Sequence, residues 1–413
     1  MRILMLSNLY PPHYVGGYEL ICEQVNRAMN ARGHQTLVLT SNHQVQGSAT
    51  RPDETGVDRS LRIHGFFGHP WLRIHKLREL EFHNNETLRR CVGEFRPDVI
   101  HVFNLGGLSK SLTLTLQRLG VPFVYFVSDH WVARSLVADV WLDWWNRPKP
   151  NGAVRLIRAA LEACGFRRAW DAIAPTGPIA KIRFPRVYFC SRFLRELTLD
   201  SGYDVRHGQV IHNAVDTSRF SGEIAPATRP LTKLLYVGRL AEDKGVMTAL
   251  KAMAAVQGRF AGELHIYGKG DPAYVEELTA FVKDHRLPVL FHTAAAAEMP
   301  AVYRSHDALL FTSEWGEPFA LTPLEAMASG LPVIGTLTGG SAELFHPGEN
   351  ALTYEAGNPA ELASRILELD AHPDRRVAIA TQGQTDVRTR HAEPVIMDEV
   401  ERYLLESLEQ TPA

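Results

Sequence analysis

The sequence is poor in cysteine and has no long apolar run. Its 413 residues include four cysteines, which lie far apart and form no CxxC pair: Cys22, Cys91, Cys164 and Cys190. This spacing argues against a disulfide framework or a cysteine metal site, and predicts four small buried side chains in a reducing compartment. No stretch of about 18 uninterrupted apolar residues is present, so no transmembrane helix is expected. The apolar run at the amino terminus ends at Ser7 and Asn8, too early for a signal peptide, which predicts a cytoplasmic protein.

Neither sign of charge predominates. The 44 Lys and Arg residues nearly balance the 46 Asp and Glu residues, and the net charge is -2. A chain without a strong positive charge is not expected to bind nucleic acid. With 45% hydrophobic and 22% charged residues, the whole chain is expected to fold. Its length exceeds what one hydrophobic core usually organises, which predicts two domains with a cleft between them.

Two short motifs are also missing. No GxGxxG sequence follows the first apolar run, which argues against a dinucleotide-dependent dehydrogenase. No Asp-x-Asp sequence occurs in the chain, so the usual sequence signal for a carboxylate-bound divalent ion beside a diphosphate is missing. We therefore expect neither a metal ion nor an organic cofactor.

The chain does contain a regular alternation of short apolar runs and amphipathic stretches, which predicts parallel sheets with crossover helices. In the first half, the predicted strands are Arg2–Ser7, Thr36–Thr40, Val99–Phe103, Phe123–Val127, Val187–Cys190 and Gln209–His212, and the predicted helices lie around Glu19–Arg32 and Leu108–Leu119. A second series of strands begins at Lys233 and continues at Leu264–Gly268, Val289–His292, Ala308–Thr312 and Pro332–Gly335. The predicted fold class is α/β, with two Rossmann-like, doubly wound parallel sheets.

A stretch rich in proline, alanine and small polar residues, Ser221–Pro230, separates the two series and predicts an interdomain linker. The expected domains are therefore residues 1–220 and 231–375. Residues 376–413 form a charged helical segment that belongs to the second domain or crosses back to the first.

Candidate phosphate-binding residues follow the first strand of each series. Gly16 and Gly17 immediately precede a helical pattern, so their amides could approach a phosphate closely, and a plain turn is the alternative. Arg239 lies just past a strand, and Lys244 begins the next helix. Both cations could converge on a diphosphate, or they could form a solvated surface pair.

The most informative segment runs from Ser313 to Glu343 and reads SEWGEPFALTPLEAMASGLPVIGTLTGGSAE. Glu317 lies in its Gly- and Pro-rich loop, and Glu325 follows eight positions later inside a predicted helix. A carboxylate among apolar neighbours needs a specific partner, and a ribose diol would satisfy Glu325. Backbone amides that open this helix suit phosphate or sugar oxygens. These amides belong to Phe319, Ala320, Leu321 and Thr322.

Six segments, taken in order, resemble the large group of retaining, GT-B-fold glycosyltransferases known as glycosyl transferases group 1, of the family 4 type. The segments are Gly16–Gly17, Pro97–Asn104 (PDVIHVFN), Val210–Phe220 (VIHNAVDTSRF), Val237–Gly245 (VGRL..DKG), Glu317–Val333 (EPFALTPLEAMASGLPV) and Gly339–Glu343 (GGSAE). They span nearly the whole chain, and the ordered set is far more specific than any one motif. The resemblance implies two Rossmann-like domains facing across a cleft. It also implies a metal-independent, retaining transferase of the hexosyltransferase type.

The resemblance further implies a role for each matched residue. Arg239 and Lys244 would bind the donor diphosphate and stabilise the leaving group, Glu325 would hold the ribose hydroxyls, and Glu317 would contact the donor sugar. The two early glycines and the amides of residues 319–322 would complete the donor site. The partners would be a nucleotide-sugar donor and a glycan or lipid-linked acceptor, as in polysaccharide or glycolipid biosynthesis. The sequence leaves the base, the sugar and the acceptor open.

One segment departs from the family pattern. Many members carry a His-Asp pair after the fourth strand, with the histidine near the reacting sugar, whereas this chain reads VYFVSDHW. Aligned without a gap, Ser128 takes the position of the histidine, Asp129 that of the aspartate, and His130 is displaced by two. We count Asp129 and His130 among the candidate catalytic residues, with a packed side chain beside Trp131 as the alternative for His130.

The segment 147–195 is strongly basic, with eleven Lys and Arg residues against only Glu162 and Asp171, a local charge of +9. Aromatic residues are interleaved, and VRLIRAALEACGFRRAW has a partly amphipathic helical pattern. One interpretation is peripheral contact with an anionic membrane at its inner face, or with a phosphate-bearing lipid acceptor. The other is a basic face packed against the acidic carboxy-terminal helix. The first interpretation predicts that four arginines face the bilayer: Arg155, Arg158, Arg167 and Arg168.

Two further functions stay open at this point. A GT-B sugar-nucleotide epimerase would share the nucleotide cleft without an acceptor site, and product analysis would separate it from a transferase. A catalytically silent nucleotide-sugar-binding partner is suggested only by Ser128. The intact set of Glu317, Arg239, Lys244 and Glu325 argues against that second possibility.

Overall fold

The computed structural model describes residues 1–45, 54–63, 74–135 and 139–409. The chain divides into two compact units. The first comprises Met1–Cys190, Leu194–Ile211 and Met397–Ala413, and the second comprises Ser191–Phe193 and His212–Ile396. Each unit contains one sheet of parallel strands with helices, which confirms the predicted α/β class of two Rossmann-like domains.

Seven parallel strands form the sheet of the first unit. They are β1 (Arg2–Leu6), β2 (Gln35–Ser41), β3 (Val57–Leu61), β4 (Val99–Val102), β5 (Phe123–Val127), β6 (Val187–Phe189) and β7 (Gln209–Val210). Their order is β3-β2-β1-β4-β5-β6-β7. Every residue of β4 and β5 is buried, as expected for strands covered on both faces. The strand order reverses between β1 and β4, and such a reversal leaves a crevice for ligands beyond the carboxyl ends of the strands.

In the described part of the first unit, seven α-helices precede the second sheet in the chain, and the last helix of the chain, given below, adds an eighth. They are α1 (Gly17–Ala31), α2 (Ile74–Phe95), α3 (Ser111–Leu116), α4 (Val140–Asn146), α5 (Gly152–Ala163), α6 (Phe166–Ile173) and α7 (Arg192–Asp200). The apolar residues Ile21, Val25 and Met29 recur at helical spacing on α1 and are buried, so this face packs into the core. No residue of α5 or α6 is buried.

The second unit contains a sheet of six parallel strands. They are β8 (Lys233–Val237), β9 (Glu263–Tyr267), β10 (Val289–His292), β11 (Ala308–Phe311), β12 (Val333–Thr336) and β13 (Leu352–Tyr354), in the order β10-β9-β8-β11-β12-β13. The helices are α8 (Val246–Ala255), α9 (Pro272–His285), α10 (Met299–Arg304), α11 (Leu321–Ala328), α12 (Pro359–Ala371) and α13 (Pro373–Arg390). Residues 221–230 form neither helix nor strand. The sheet reverses its order between β8 and β11, and the loops after these two strands carry the residues considered below.

The last helix, α14 (Glu393–Glu409), begins in the second unit, and from Met397 onward it belongs to the first. The hydroxyl of Tyr403 on this helix donates a hydrogen bond to the carbonyl of Val187 in β6 over 2.9 Å. On the same helix, Asp398 forms an ion pair with Arg32, whose nitrogen lies 2.8 Å from the carboxylate. The first unit therefore includes a helix from the far end of the chain, which contacts β6 and Arg32.

Several local expectations need correction. The strands β3 and β13 and the long helix α2 were not predicted, and the helix expected around Leu108–Leu119 is the shorter α3. The prediction that all four cysteines are buried is wrong for Cys164, which is exposed between α5 and α6. In the described ranges, no helix is both long and apolar enough to cross a membrane.

Candidate functional site

The loop after β11 contributes Glu317 to a largely buried ion pair with Lys244. Lys244 Nζ donates to Glu317 Oε1 over 2.5 Å, and the Ser313 hydroxyl donates to the same oxygen over 2.6 Å. The ammonium group also lies 4.9 Å from the centroid of the Trp315 ring, within the range of a cation–π interaction. Removing two charges from water is costly unless further hydrogen bonds and dipoles stabilise them, and Ser313 and Trp315 do so here. The structure thus brings together two of the predicted site residues, Lys244 and Glu317.

A tight turn positions Lys244. The residues Glu242–Lys244 form one turn of 3-10 helix, and Gly245 follows with φ of +63°. A Cβ atom on Gly245 would lie 2.0 Å from the carbonyl oxygen of Thr312, so only glycine fits between this turn and the loop after β11. The Thr312 hydroxyl donates to the carbonyl of Lys244 over 2.8 Å. The lysine is therefore held on a backbone that has little freedom to move.

The second predicted cation, Arg239, has a different environment. Its side chain is exposed and forms an ion pair with Asp243, whose carboxylate lies 3.1 Å away. Arg239 lines a cavity of about 900 Å³ together with Lys269, Tyr274 and other residues of the loops after β8 and β9. Lys244, Glu317 and Glu325 are not part of that lining. We therefore do not place the candidate site in this cavity, although Arg239 borders it.

The helix α11 begins with backbone amides that no side chain caps. Its N-cap residue, Ala320, is extended and forms no side-chain cap, so the first N–H groups of the helix are suited to an anion or a sugar oxygen. The preceding Phe319 is buried, and its ring stacks on His212 with centroids 4.6 Å apart. Asn213 donates to the carbonyl of Phe319 over 3.0 Å, which fixes the approach to Leu321 and Thr322. The sequence predicted the amides of residues 319–322 and included His212 and Asn213 in the VIHNAVDTSRF segment, but it did not show that these two residues support Phe319.

Glu325, one turn into α11, has an internal partner. The hydroxyl of Tyr303 on α10 donates to its Oε2 atom over 2.7 Å, and Tyr303 itself is fully buried. Burial of the carboxyl group raises the pKa of Glu325 to about 7, while the Tyr303 hydrogen bond and the charge of Arg219 act in the opposite direction. Tyr303 leaves Oε1 as the carboxylate oxygen available to a ligand. Sequence analysis missed Tyr303 because it lies 22 positions away on another helix.

The pair Gly339 and Gly340 allows the loop of Glu317 to pack closely. The amide of Gly340 donates to the carbonyl of Glu317 over 2.6 Å. A Cβ atom on Gly340 would lie 2.0 Å from the carbonyl oxygen of Pro318, and one on Gly339 would lie 2.4 Å from that of Glu317. The two glycines of the GGSAE motif therefore allow this segment to pack closely against the backbone of the Glu317 loop.

We expect the variant Gly340→Ala to lose about 1–3 kcal/mol of unfolding free energy, because the added methyl group overpacks this contact. Thermal unfolding of the purified protein measures the change. The matched control is Gly93→Ala in α2, where an added Cβ atom would meet nothing within 4 Å and the protein should be as stable or more stable. Equal melting temperatures for Gly340→Ala and the wild type would contradict the packing role.

In the first unit, a chain of polar side chains connects the Gly-Gly loop to the end of β5. The carboxylate of Glu19 accepts from the amide of Gly16 over 3.0 Å and also binds Asn104, the residue that follows β4 by two positions. Asn104 in turn donates to Asp129 over 3.2 Å. Gly17 is the first residue of α1. The structure thus links Gly16 and Asp129 through Glu19 and Asn104, which sequence reasoning missed.

The residues after β5 are buried at the carboxyl end of the sheet. Burial raises the pKa of Asp129 to about 6, with the negative charge of Glu19 adding to the rise and the amide of Trp131 opposing it. Ser128 and His130 are buried on either side of Asp129. A carboxyl group that titrates near neutral pH is suited to proton transfer, so Asp129 stays a candidate catalytic residue.

In the parts of the chain that the structure describes, no group of three or more His, Cys, Asp or Glu side chains is arranged to hold a metal ion. Two positive groups lie near the loop of Glu317: the side chain of Lys244 and the amino terminus of α11.

Comparisons with known proteins identify relatives along most of the chain. The protein-family model described as Glycosyl transferases group 1 matches residues 232–372, and the family model described as Glycosyltransferase Family 4 matches residues 15–219. A glycogen synthase of Mycobacterium tuberculosis is 28% identical over 425 residues, which cover 93% of this chain and 90% of that protein. A GDP-mannose-dependent alpha-mannosyltransferase of the same species is 26% identical and covers 97% of this chain and 95% of its own length.

The fold has close counterparts among solved structures. The Anabaena protein Alr3699/HepE, solved in complex with UDP, superimposes with a TM-score of 0.69 at 18% identity. The match covers 98% of this chain and all of that one. At this level of identity the similarity concerns the fold, and it confirms the predicted GT-B fold with two Rossmann-like domains.

Proposed function

We propose, because this chain belongs to the glycosyl transferases group 1 family, that it transfers a sugar from a nucleotide-diphosphate donor to an acceptor. One observation carries the proposal for the donor side. The ion pair of Lys244 and Glu317 joins the turn after β8 to the loop that leads into the uncapped amino terminus of α11. A cation, a carboxylate and free amides are the groups that a diphosphate-linked sugar requires.

The chemistry follows from the charge that develops on the leaving group. When the bond between the sugar and the diphosphate breaks, the nucleoside diphosphate gains negative charge, and fixed cations and amides lower the barrier by stabilising it. Lys244 and Arg239 supply the cations in this proposal, and the amides of residues 319–322 supply the dipoles. Lys244 must then exchange part of its contact with Glu317 for the phosphate oxygens. Glu317, freed in part, accepts hydrogen bonds from hydroxyls of the donor sugar.

Glu325 holds the ribose in this proposal. Its Oε2 atom is occupied by the hydroxyl of Tyr303, and Oε1 is available to accept from a ribose hydroxyl. The donor side therefore has three contacts in one segment: the sugar at Glu317, the diphosphate at the start of α11, and the ribose at Glu325. Of the two early glycines, Gly17 is proposed to offer its amide to a phosphate oxygen, whereas the amide of Gly16 already donates to Glu19.

The acceptor and the stereochemistry belong to the same proposal. We propose transfer with retention of the anomeric configuration, as the family resemblance implies, onto a glycan or lipid-linked glycan in the cytoplasm. Asp129 and His130 are the proposed catalytic residues of the first unit. Proton NMR of the product, recorded before mutarotation, distinguishes a retained from an inverted anomeric centre.

A screen of nucleotide sugars by thermal shift tests the central claim. A ligand at 100 times its dissociation constant should stabilise the protein by about 2.7 kcal/mol. Donors that stabilise the protein are then incubated with candidate acceptors, and the products are identified by mass spectrometry. An isomerised nucleotide sugar without transfer would point to an epimerase instead. Binding without any product would point to a silent partner.

We expect sugar transfer to persist in EDTA, because the proposed cations of the protein take the place of a metal ion and no Asp-x-Asp sequence is present. Initial rates with and without chelator measure this. A metal-dependent transferase assayed in parallel verifies that the chelator is effective. Activity that disappears in EDTA and returns with magnesium or manganese would refute metal independence.

A further inference from the structure

The helices α5 and α6 form a hairpin with an unusual surface. None of their residues is buried, and three large apolar side chains on the hairpin are exposed. The exposed fractions are 71% for Leu156, 45% for Ile157 and 49% for Phe166. A single exposed apolar side chain is ordinary, whereas three within eleven residues of one hairpin mark a candidate contact surface.

Leu156 and Ile157 lie on α5 outside the face that packs on the protein, and Phe166 is the first residue of α6. The half-buried positions Val154, Arg158 and Leu161 recur at helical spacing and mark the side that faces the protein. Leu156 and Ile157 lie away from this side. Two of the large apolar side chains of α5 are thus exposed to solvent, although Val154 and Leu161 face the protein.

Indole rings and two arginines anchor the hairpin. Trp170 of α6 stacks on the buried Trp141 of α4, with ring centroids 6.3 Å apart. Arg158 donates to the carbonyls of Trp144 and Arg147, and its guanidinium lies 5.8 Å from the centroid of the Trp144 ring.

Arg167 forms an ion pair with Glu162 and lies 5.3 Å from the centroid of the Trp145 ring. The expectation that Arg155, Arg158, Arg167 and Arg168 all face a bilayer is thus corrected. Arg158 and Arg167 hold the hairpin to the protein, and the exposed side chains are presented on a firm support.

Other cations of this region are exposed. Lys149, Arg155 and Arg168 are exposed, and the described part of the chain gives none of them an ion-pair partner. The alternative of a basic face packed on the carboxy-terminal helix applies to Arg186, which donates to the carbonyl of Glu406. It does not account for the cations of the hairpin.

We propose that the hairpin α5–α6 docks on an anionic lipid bilayer, with Leu156, Ile157 and Phe166 inserted at the interface and Lys149, Arg155 and Arg168 bound to lipid phosphates. Charge complementarity selects this occupant, because an apolar patch bordered by unpaired cations matches the boundary between acyl chains and anionic headgroups. A second copy of this chain would bring the same cations against each other. The inference is independent of the donor chemistry, since none of these residues belongs to the donor site.

Cosedimentation with vesicles tests the docking. The full chain should bind vesicles of phosphatidylcholine and phosphatidylglycerol and should not bind phosphatidylcholine alone. Each cation contributes about fivefold to affinity, so the triple variant Lys149→Gln/Arg155→Gln/Arg168→Gln should lose about 100-fold and its remaining binding should be insensitive to salt. The triple variant Leu156→Gln/Ile157→Gln/Phe166→Gln should lose at least about tenfold. The matched control is Leu405→Gln, an exposed leucine on α14 that should leave vesicle binding unchanged.

The exposed Cys164 provides a direct probe of insertion. It lies between α5 and α6, while Cys22, Cys91 and Cys190 are buried, so a maleimide dye that reports polarity should label Cys164 selectively. The dye emission should move to shorter wavelength with anionic vesicles and should stay unchanged with neutral ones. The variant Cys164→Ser controls for labelling elsewhere.

Three results would overturn the inference. These are no sedimentation with anionic vesicles at low salt, binding that the apolar triple variant leaves unchanged, or a dimer that dissociates in the apolar triple variant. The last result would assign the patch to a second copy of the chain. Nucleotide binding is measured on every variant and shows that the proteins are folded. It also separates a failure of vesicle docking from a failure of the proposed transferase function.

Discussion

Replacing Lys244 with alanine is expected to slow sugar transfer by about 100-fold to 1000-fold. The reason is that the leaving diphosphate loses the ammonium group that would stabilise its growing charge. The same change leaves the buried carboxylate of Glu317 with Ser313 as its remaining side-chain donor in the described structure. A loss of stability is therefore expected beside the loss of rate, since an unpaired buried charge is costly.

Two further variants separate these effects. In Lys244→Met/Glu317→Gln both charges are absent, so the stability should recover while transfer stays slow. In Lys251→Ala an exposed lysine of the neighbouring helix α8 is removed, and the rate should not change. Initial rates at saturating donor and thermal unfolding of all three variants are the measurements. A turnover of Lys244→Ala within twofold of the wild type would rule out its role at the leaving group.

Replacing Glu325 with alanine is expected to weaken the binding of a nucleoside diphosphate by about 1.5–3 kcal/mol, or about 10-fold to 150-fold. This is the binding free energy that a ribose hydroxyl is expected to lose when the charged group at the other end of its hydrogen bond is removed. Isothermal titration gives the affinities. A nucleoside diphosphate without ribose hydroxyls is the control ligand, because wild type and Glu325→Ala should bind it equally.

The affinity should also depend on pH with a definite sign. Burial raises the pKa of Glu325 from its ordinary value of 4.5 to about 7. The ionised carboxylate accepts a hydroxyl proton better than the neutral acid does, so affinity should be full above pH 7 and should fall as pH drops through about 7. Tyr303 donates to the carboxylate and lowers its pKa, so Tyr303→Phe should move the midpoint of this transition to higher pH. A pH profile that Tyr303→Phe leaves unmoved would contradict the coupling.

The fold could be predicted to a large extent because its strands are short apolar runs. All six strands predicted in the first half have counterparts. For the central strands β4, β5 and β6 the reason is that a strand buried on both faces has a continuous apolar sequence. The strand β3 was missed for the corresponding reason. It lies at the edge of the sheet and reads VDRSL, in which four of the five residues are only partly buried. An edge strand of this kind has no sequence pattern that separates it from a loop.

The site was predictable where its chemistry is local in sequence. The loop of Glu317 and the helix of Glu325 lie in one segment, and the amides between them follow from the helix start. The partners of these residues were not predictable. Ser313 precedes the loop as an ordinary serine, and Tyr303 lies in an amphipathic stretch where a tyrosine has no special meaning. Their roles arise because the fold brings their hydroxyl groups to the two carboxylates.

For the basic segment 147–195, the sequence predicts the charge but not which side chains are exposed. Its charge is visible in the sequence, but the direction of each side chain is not. Arg158 and Arg155 are three positions apart, yet one binds backbone carbonyls and the other is exposed. Which cations face a partner depends on the indole cluster of α4 and α6, whose packing the sequence does not reveal.

The position of α14 has a consequence for synthesis on the ribosome. The first unit needs Tyr403 and Asp398 for contacts with Val187 and Arg32, and these residues are made after the whole second unit. Amino-terminal domains usually fold as soon as they emerge. In this chain, the surface of the first unit that α14 covers stays exposed to solvent until residues 212–396 have been translated. A nascent chain arrested before Met397 should therefore hold an incomplete first unit that proteases cut and chaperones bind.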